Sequence, residues 1–195
     1  SSGILGAADQ ADLRSHIVAA VVGADAAVRG LLAEALRCIA RGAPLAAWPQ
    51  LLPEIAQALS SPQPHEIAGG LAALRALVQN YEHSKLYTES PRLPFSLSPL
   101  GQKCRGKWSF TSPLLFHTPK IEEREELDTI VGATFPALER LLGALVQAAP
   151  SAATVALDAA AVGVFRAVTA RRFPGPLRGA DAVGAWLRYF GLVLE

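Results

Sequence analysis

The sequence predicts an all-α fold, and three observations carry that expectation. Apolar residues recur at helical spacing along most of the chain, tight Gly/Pro turns separate the runs, and no stretch sustains the period-two alternation of a strand. Long and short helical runs also alternate. Val28 and Ile67, on the first and third of the well-formed faces, stand 39 positions apart, close to the roughly 40–47-residue period of HEAT and armadillo arrays. The expected architecture is therefore a HEAT-type α-solenoid of stacked antiparallel helix pairs, with a closed helical bundle as the competing arrangement.

Each element has its own justification. An incomplete helix around Leu13, Ile17 and Val21 begins the chain. Val28, Leu31, Leu32, Ala35, Leu36 and Ile39 then fall at i, i+3, i+4 and i+7 positions of one face, and Gly42-Ala43-Pro44 stops that helix. A short helix from about Pro49 turns Leu51, Leu52, Ile55 and Leu59 inward and closes at Ser60-Ser61-Pro62. Ile67, Leu71, Leu74 and Val78 share the next face. Thr118 reads as an N-cap with Pro119 at the first helical position, and the acidic run that follows suits the positive end of a helix dipole. The stripe behind it is Leu127, Ile130, Val131, Thr134, Leu138, Leu141, Leu142 and Leu145. From about Thr154 to Thr169 the chain is apolar nearly all round, as expected of a helix sandwiched between neighbours. Val183, Trp186, Leu187, Phe190 and Leu194 mark the last helix.

Composition narrows the class. Of 195 residues 51% are hydrophobic and 18% charged, enough apolar surface to offset the conformational entropy of folding. That length suits one domain or one stretch of an extended array, and the absence of Met, even at position 1, reads as a fragment or a processed chain. A net charge of +1 makes no general electrostatic case for nucleic acid or membrane. Cys38 and Cys104 are too few for a disulfide scaffold and point to free thiols in a reducing compartment. The start lacks a basic n-region, and the uncharged run from Leu141 to Leu157 is split by Pro150, short of the ~20 apolar residues a spanning helix needs. The expectation is a soluble intracellular protein without membrane insertion.

Three segments follow. Residues 1–82 and 120–195 carry the helical rhythm, and residues 83–119 break it. Between His83 and Pro119 stand five of the 14 prolines and six serines, with Trp108, Phe110 and Phe116 off any period. Lys85, Arg92, Lys103, Arg105 and Lys107 against Glu89 give this insert a net +4 and leave the remainder at −3. It reads as an irregular surface excursion, or as a retained intron translated in frame. The alternative is a functional loop whose Lys103, Arg105, Lys107 and Trp108 bind an acidic partner.

Catalytic chemistry has no foothold in the spacing. His16, His65, His83 and His117 show no metal-ligand pattern with one another or with the cysteines. There is no G-x-S-x-G elbow, no P-loop and no Gly-rich turn after a strand. Glu122, Glu123, Glu125 and Glu126 resemble a carboxylate site, but a helix N-terminus explains such a run through its dipole alone. Residues 102–110 mix cations and aromatics in the manner of single-strand nucleic-acid sites, against which the weak overall charge favours a solvated loop. No enzyme is expected: no catalytic residue, no metal, no cofactor and no direct nucleic-acid contact.

Particular residues point further. Val28-Arg29, Leu36, Ile39, Pro44 and Trp48-Pro49-Gln50-Leu51-Leu52-Pro53 resemble a segment of the importin-β superfamily, in which a V/L-R pair opens a helix that leads to a proline and a W-P-x-L-L helix. Gly69-Gly70-Leu71-Ala72-Ala73-Leu74-Arg75 and Asn80-Tyr81-Glu82 are similar to the next helix, with its G-A-L-x-x-L-R and K-Y-E ending. After the insert, Glu122-Glu123-Arg124 and Thr134-Phe135-Pro136-Ala137-Leu138 resemble E-x-R and T-F-P-x-L. Val164-Phe165, Phe173-Pro174-Gly175-Pro176-Leu177, Ala185-Trp186-Leu187, Phe190 and Val193-Leu194-Glu195 follow the family's I-F, L-P-x-x-L, A-W-M, F and V-L-E. Order and spacing hold, apart from one extra residue before Trp48.

The resemblance is to the importin seven/eight type of nuclear import receptor, over about residues 10–82 and 120–195. It implies HEAT repeats from about the second to the start of the fourth in 1–82, and from about the fourth to the fifth in 120–195, of a receptor several times longer. It implies partners as well: the GTP-bound small GTPase Ran, protein cargo, and FG-nucleoporins. It places the protein in cytoplasm and nucleus, at the nuclear envelope and pore. The family's first repeats, which carry much of its Ran-binding module, and its C-terminal repeats have no counterpart here. By the same analogy the inner helices are Pro49–Leu59, about Ile121–Val146, and Asp181–Leu194, on which Gln57, Glu139 and Arg188 are the candidate partner-facing residues. A HEAT scaffold or adaptor without a transport role is the alternative.

Overall fold

The computed structural model describes residues 7–42, 44–83, 121–170 and 173–194. Over these residues the fold is all-α, without a strand. The helices in chain order are α1 (Ala7–Gly23), α2 (Ala26–Arg41), α3 (Leu51–Leu59), α4 (Pro64–His83), α5 (Ile121–Gln147), α6 (Ala152–Thr169) and α7 (Ala180–Leu194). Short 3-10 turns, Leu45–Ala47 and Gly175–Leu177, precede α3 and α7. The insert lies outside the described residues, except that His83 is the last residue of α4, and so do the Thr118 cap and Pro119.

Local chemistry sets the boundaries. Trp48 and Pro49 belong to the turn rather than to α3, because the Trp48 carbonyl accepts the Leu51 N–H at 3.2 Å; the helix opens at Leu51, two residues later than its apolar pattern suggests. α6 opens at Ala152 on a capping box: the Thr154 N–H donates to Ser151 Oγ at 3.1 Å and the Ser151 N–H to Thr154 Oγ1 at 2.8 Å. Pro136 lies within α5, where it removes one backbone donor.

Packing runs in two rows. α2, α4 and α6 lie side by side, as do α1, α3, α5 and α7, and α4 also reaches across to α1, α3 and α5. The core is continuous along both rows, from Val18 and Val21 of α1 through Leu36, Ile55, Leu71, Leu74, Ile130, Leu138 and Val164 to Trp186. Small residues let α4 sit at the centre. A Cβ on Gly69 would stand 2.4 Å from the Val22 Cα of α1, and one on Gly70 3.0 Å from the Ala58 Cβ of α3.

Four apolar positions depart from the expected inward face. Leu13 of α1 is 39% exposed, Val28 and Leu31 of α2 are 48% and 74% exposed, and Leu187 of α7 is 65% exposed. α2 packs only on α1 and α4 among the described helices, so its apolar arc is wider than the surface that covers it. α6 is not sandwiched either: Leu157, Ala161, Val164 and Val168 are buried on one face, while Val155 on the opposite face is 60% exposed. By length and composition alone, Glu125–Gln147 and Ala152–Thr169 are apolar enough to cross a membrane, with mean hydropathies of 1.4 and 1.5. The uncharged run weighed in the sequence straddles the break between them, so its length bears on neither. Half of the window in the first is buried by the rest of the fold, and 22% of the window in the second.

The close approach at Gly69 is testable. Gly69→Ala is expected to lower stability by about 1–3 kcal/mol, because Val22 backbone atoms cannot move aside as a flexible side chain does. Gly143→Ala, where a Cβ meets nothing within 4 Å, is expected to raise it by about 0.5–1 kcal/mol through helix propensity. Urea unfolding of the two variants checks both signs.

Candidate functional site

The three sequence candidates lie on α3, α5 and α7, and all three side chains are exposed. Glu139 and Arg188 are brought together. They line one cleft between α5 and α7 whose walls are Leu142, Gly143, Val146, Ala185, Trp186 and Tyr189. Its volume is about 300 Å³, the lower end of the range for small-molecule pockets. No ion pair joins Glu139 to Arg188 among the described residues, so a carboxylate and a guanidinium stand free at an apolar opening. Gln57 lies elsewhere, in a cleft of about 210 Å³ formed by Val18, Ala19 and Val22 of α1, Glu54 and Ala58 of α3, and Glu66 of α4.

The α5–α7 cleft has a rigid floor. Trp186 is 3% exposed and stacks on Phe165 of α6 at 4.2 Å between ring centroids, with Phe190 edge-on to Phe165 at 5.2 Å. The Trp186 Nε1–H is buried without a hydrogen-bond partner. Tyr189 Oη donates to Asp158 Oδ1 at 2.8 Å, which ties α7 to α6. Burial first, then the Asp158 carboxylate, pushes the Tyr189 phenol above its usual range, so it stays a neutral donor.

A third cleft, about 450 Å³, lies between the first 3-10 turn, α3 and the start of α5, with Trp48, Pro49 and Leu52 on one side and Glu125, Glu126 and Thr129 on the other. Here the acidic run does more than complement a dipole. Glu126 accepts the Leu45 N–H at 3.1 Å through Oε1 and the Tyr81 hydroxyl at 3.0 Å through Oε2. Two residues on, Asp128 Oδ1 accepts the Gly175 N–H at 2.9 Å. The first residue of each 3-10 turn is thus held by a carboxylate of α5. Glu122 and Glu123 have no described side-chain placement.

Sequence patterning missed two features. Glu54 was absorbed into the short amphipathic helix, yet its Oε2 is enclosed without a partner, and burial holds the carboxyl above the usual glutamate range. The Trp186 indole was counted only as apolar stripe. Periodicity reports which face a residue occupies and not whether its polar atom finds a partner. Among the described residues no group of three His, Cys, Asp or Glu is arranged to hold a metal, and Cys38 is a free, exposed thiol. Comparison with known proteins finds no matching family model, no matching curated protein and no matching solved structure.

Two substitutions follow from these contacts. Glu126→Ala removes the carboxylate that accepts the Leu45 N–H and the bond that Tyr81 makes to it, and is expected to cost about 1–3 kcal/mol in urea unfolding. Glu54 binds its proton more tightly folded than unfolded, so its contribution to stability falls as pH rises through and above the ordinary glutamate range. Glu54→Gln is therefore expected to raise the unfolding midpoint at pH 7, with the gain shrinking as pH drops below that range.

Proposed function

We propose that this chain is a protein-binding segment of a HEAT-type solenoid, of the kind found in importin-β nuclear import receptors. The observation that carries the reading is the order of packing. Alternate helices form the rows α2–α4–α6 and α1–α3–α5–α7, and among the described residues α1 does not pack along α7 as the first and last helices of a closed bundle would. Two further features support it. The Pro44-led and Pro174-led 3-10 turns occupy equivalent places, each between a helix of one row and the next helix of the other. The Glu139–Arg188 cleft combines an apolar floor with two unpaired rim charges, the chemistry of a protein contact rather than of an enclosed reaction site.

In this reading α3, α5 and α7 form the partner-facing row, with Gln57, Glu139 and Arg188 on it. The partners are GTP-bound Ran, protein cargo and FG-nucleoporins, and the setting is cytoplasm, nucleus and nuclear pore. The transport role rests on the sequence motifs. A scaffold or adaptor with the same architecture and no transport role is the second reading, favoured by the absence of a matching family model.

Recovery of Ran on an immobilised full-length parent protein that contains this segment separates the two. Transport function predicts recovery of the GTP-bound form in preference to the GDP-bound form, and equal recovery in both states removes it in favour of the scaffold. Glu139→Lys with Arg188→Glu is expected to weaken partner capture while leaving the thermal unfolding midpoint unchanged, since both side chains are exposed and unpaired.

A further inference from the structure

We propose that the basic, aromatic stretch of this chain at residues 102–110 docks in the cleft between the first 3-10 turn, α3 and the start of α5. The inference is independent of any role in transport.

The cleft, about 450 Å³, has two kinds of surface. Leu45, Trp48, Pro49 and Leu52 give it apolar walls, and Glu125 and Glu126 add two carboxylates. No cation lines it, and among the described residues neither carboxylate forms an ion pair. Glu126 accepts from an amide N–H and a phenol hydroxyl, both neutral, so those bonds bring it no opposite charge. Glu125 is exposed. Such a surface suits a segment that carries cations beside aromatic rings.

The chain itself supplies one. Residues 102–110 lie outside the described residues, and their sequence carries Lys103, Arg105, Lys107, Trp108 and Phe110, with no acidic residue anywhere from 90 to 119. Both flanks of the segment that holds them meet the fold beside the cleft. α4 ends at His83, two residues after Tyr81, whose hydroxyl reaches Glu126 at 3.0 Å, and α5 begins at Ile121, four residues before Glu125. Phe110 precedes Ile121 by eleven residues, which extended span up to about 36 Å. The cleft is therefore within reach, and an intramolecular contact needs no high intrinsic affinity. The cleft of Glu54 and Glu66 also has carboxylates and no cation. It lies at the opposite end of α4, however: Glu66 is in the first turn of that helix, about 25 Å along the axis from His83. Position thus selects between the two acidic clefts.

Disulfide trapping in the full 195-residue chain tests this. Cys104 lies within the stretch, and Cys38, an exposed thiol on α2, serves as the reference. It is near the same end of α4, since the neighbouring Arg37 carbonyl accepts from Asn80 Nδ2, three residues before that helix ends. Ala46→Cys, at an exposed position of the cleft, is combined with Cys38→Ser, and circular dichroism at unchanged helicity verifies the fold. Under oxidised glutathione the disulfide between position 46 and Cys104 is expected to form at least about tenfold faster than Cys38–Cys104 in the unmodified chain. Adding Glu125→Lys is expected to bring that rate down to the reference. Equal rates for positions 46 and 38 overturn the proposal and leave the cleft to a separate partner. A fast rate that survives Glu125→Lys reflects closeness of the tether alone and overturns it too. Disulfide-linked dimers in place of the internal bond give the cleft to a second copy and likewise overturn it. In the unmodified chain, carbodiimide coupling is expected to join Glu125 to Lys103 or Lys107. Mass spectrometry that finds no such link overturns the proposal whether or not any variant folds.

Discussion

At Gly69 the backbone of α4 passes so near α1 that no side chain fits between them, and at Gly70 it comes almost as close to α3. Glycine costs helix propensity, roughly 1 kcal/mol per residue against alanine. Here that cost is offset by what the missing Cβ atoms permit. With α1 and α3 drawn in, Ile67, Leu71, Leu74 and Val78 reach the shared core, and the rest of α4 stays free for α2 and α6. The central position of α4, and with it the two-row order, depends on this contact. A bulkier residue at either glycine pushes a neighbour outward and uncovers the leucines behind it.

Polar groups then fix what apolar packing leaves adjustable. Leu and Val surfaces slide past one another at little cost, whereas a carboxylate that accepts two donors at once does not. Glu126 links the first 3-10 turn to the end of α4, Asp128 anchors the second turn, and Asn80 Nδ2 donates to the Arg37 carbonyl across the α2–α4 contact at 3.0 Å. These bonds join different helices, so they set relative orientation rather than local helicity. The exposed Glu34–Arg37 pair on α2 is of another kind: it lowers the Glu34 pKa through the Arg37 hydrogen bond, yet both partners belong to one helix and constrain nothing beyond it.

Helix existence was legible in the chain because periodicity is a local property. Leu51, Leu52, Ile55 and Leu59 are all buried where their spacing placed them, and so are Leu71, Leu74, Ile130, Leu138 and Leu142. Coverage was not legible, since it depends on neighbours contributed from elsewhere. Val28, Leu31 and Leu36 share one sequence stripe, but only Leu36 is buried. The candidate site was half legible for the same reason. Glu139 and Arg188 were picked as polar positions opposite apolar stripes, and they meet because α5 and α7 lie side by side. Gln57 satisfied the identical rule and falls in another cleft. The unpartnered atoms of Glu54 and Trp186 lie beyond any pattern of residue types, because partnership is a matter of ångströms between elements.

Side chains that compose alike thus acquire different roles by position. An apolar residue in the middle of a row stabilises the fold, and the same residue on an end helix is available to another surface. Glu139 and Arg188 on the α3–α5–α7 row can face a partner without disturbing the core, since both side chains are exposed, whereas Glu126 of the same row is committed to Tyr81 across the contact between rows. Leu31 of α2 and Val155 of α6 have the same chemistry as the buried leucines and valines of α4 and differ from them only in lacking a covering neighbour, while Glu139 and Arg188 stand at the rim of a cleft whose floor is apolar.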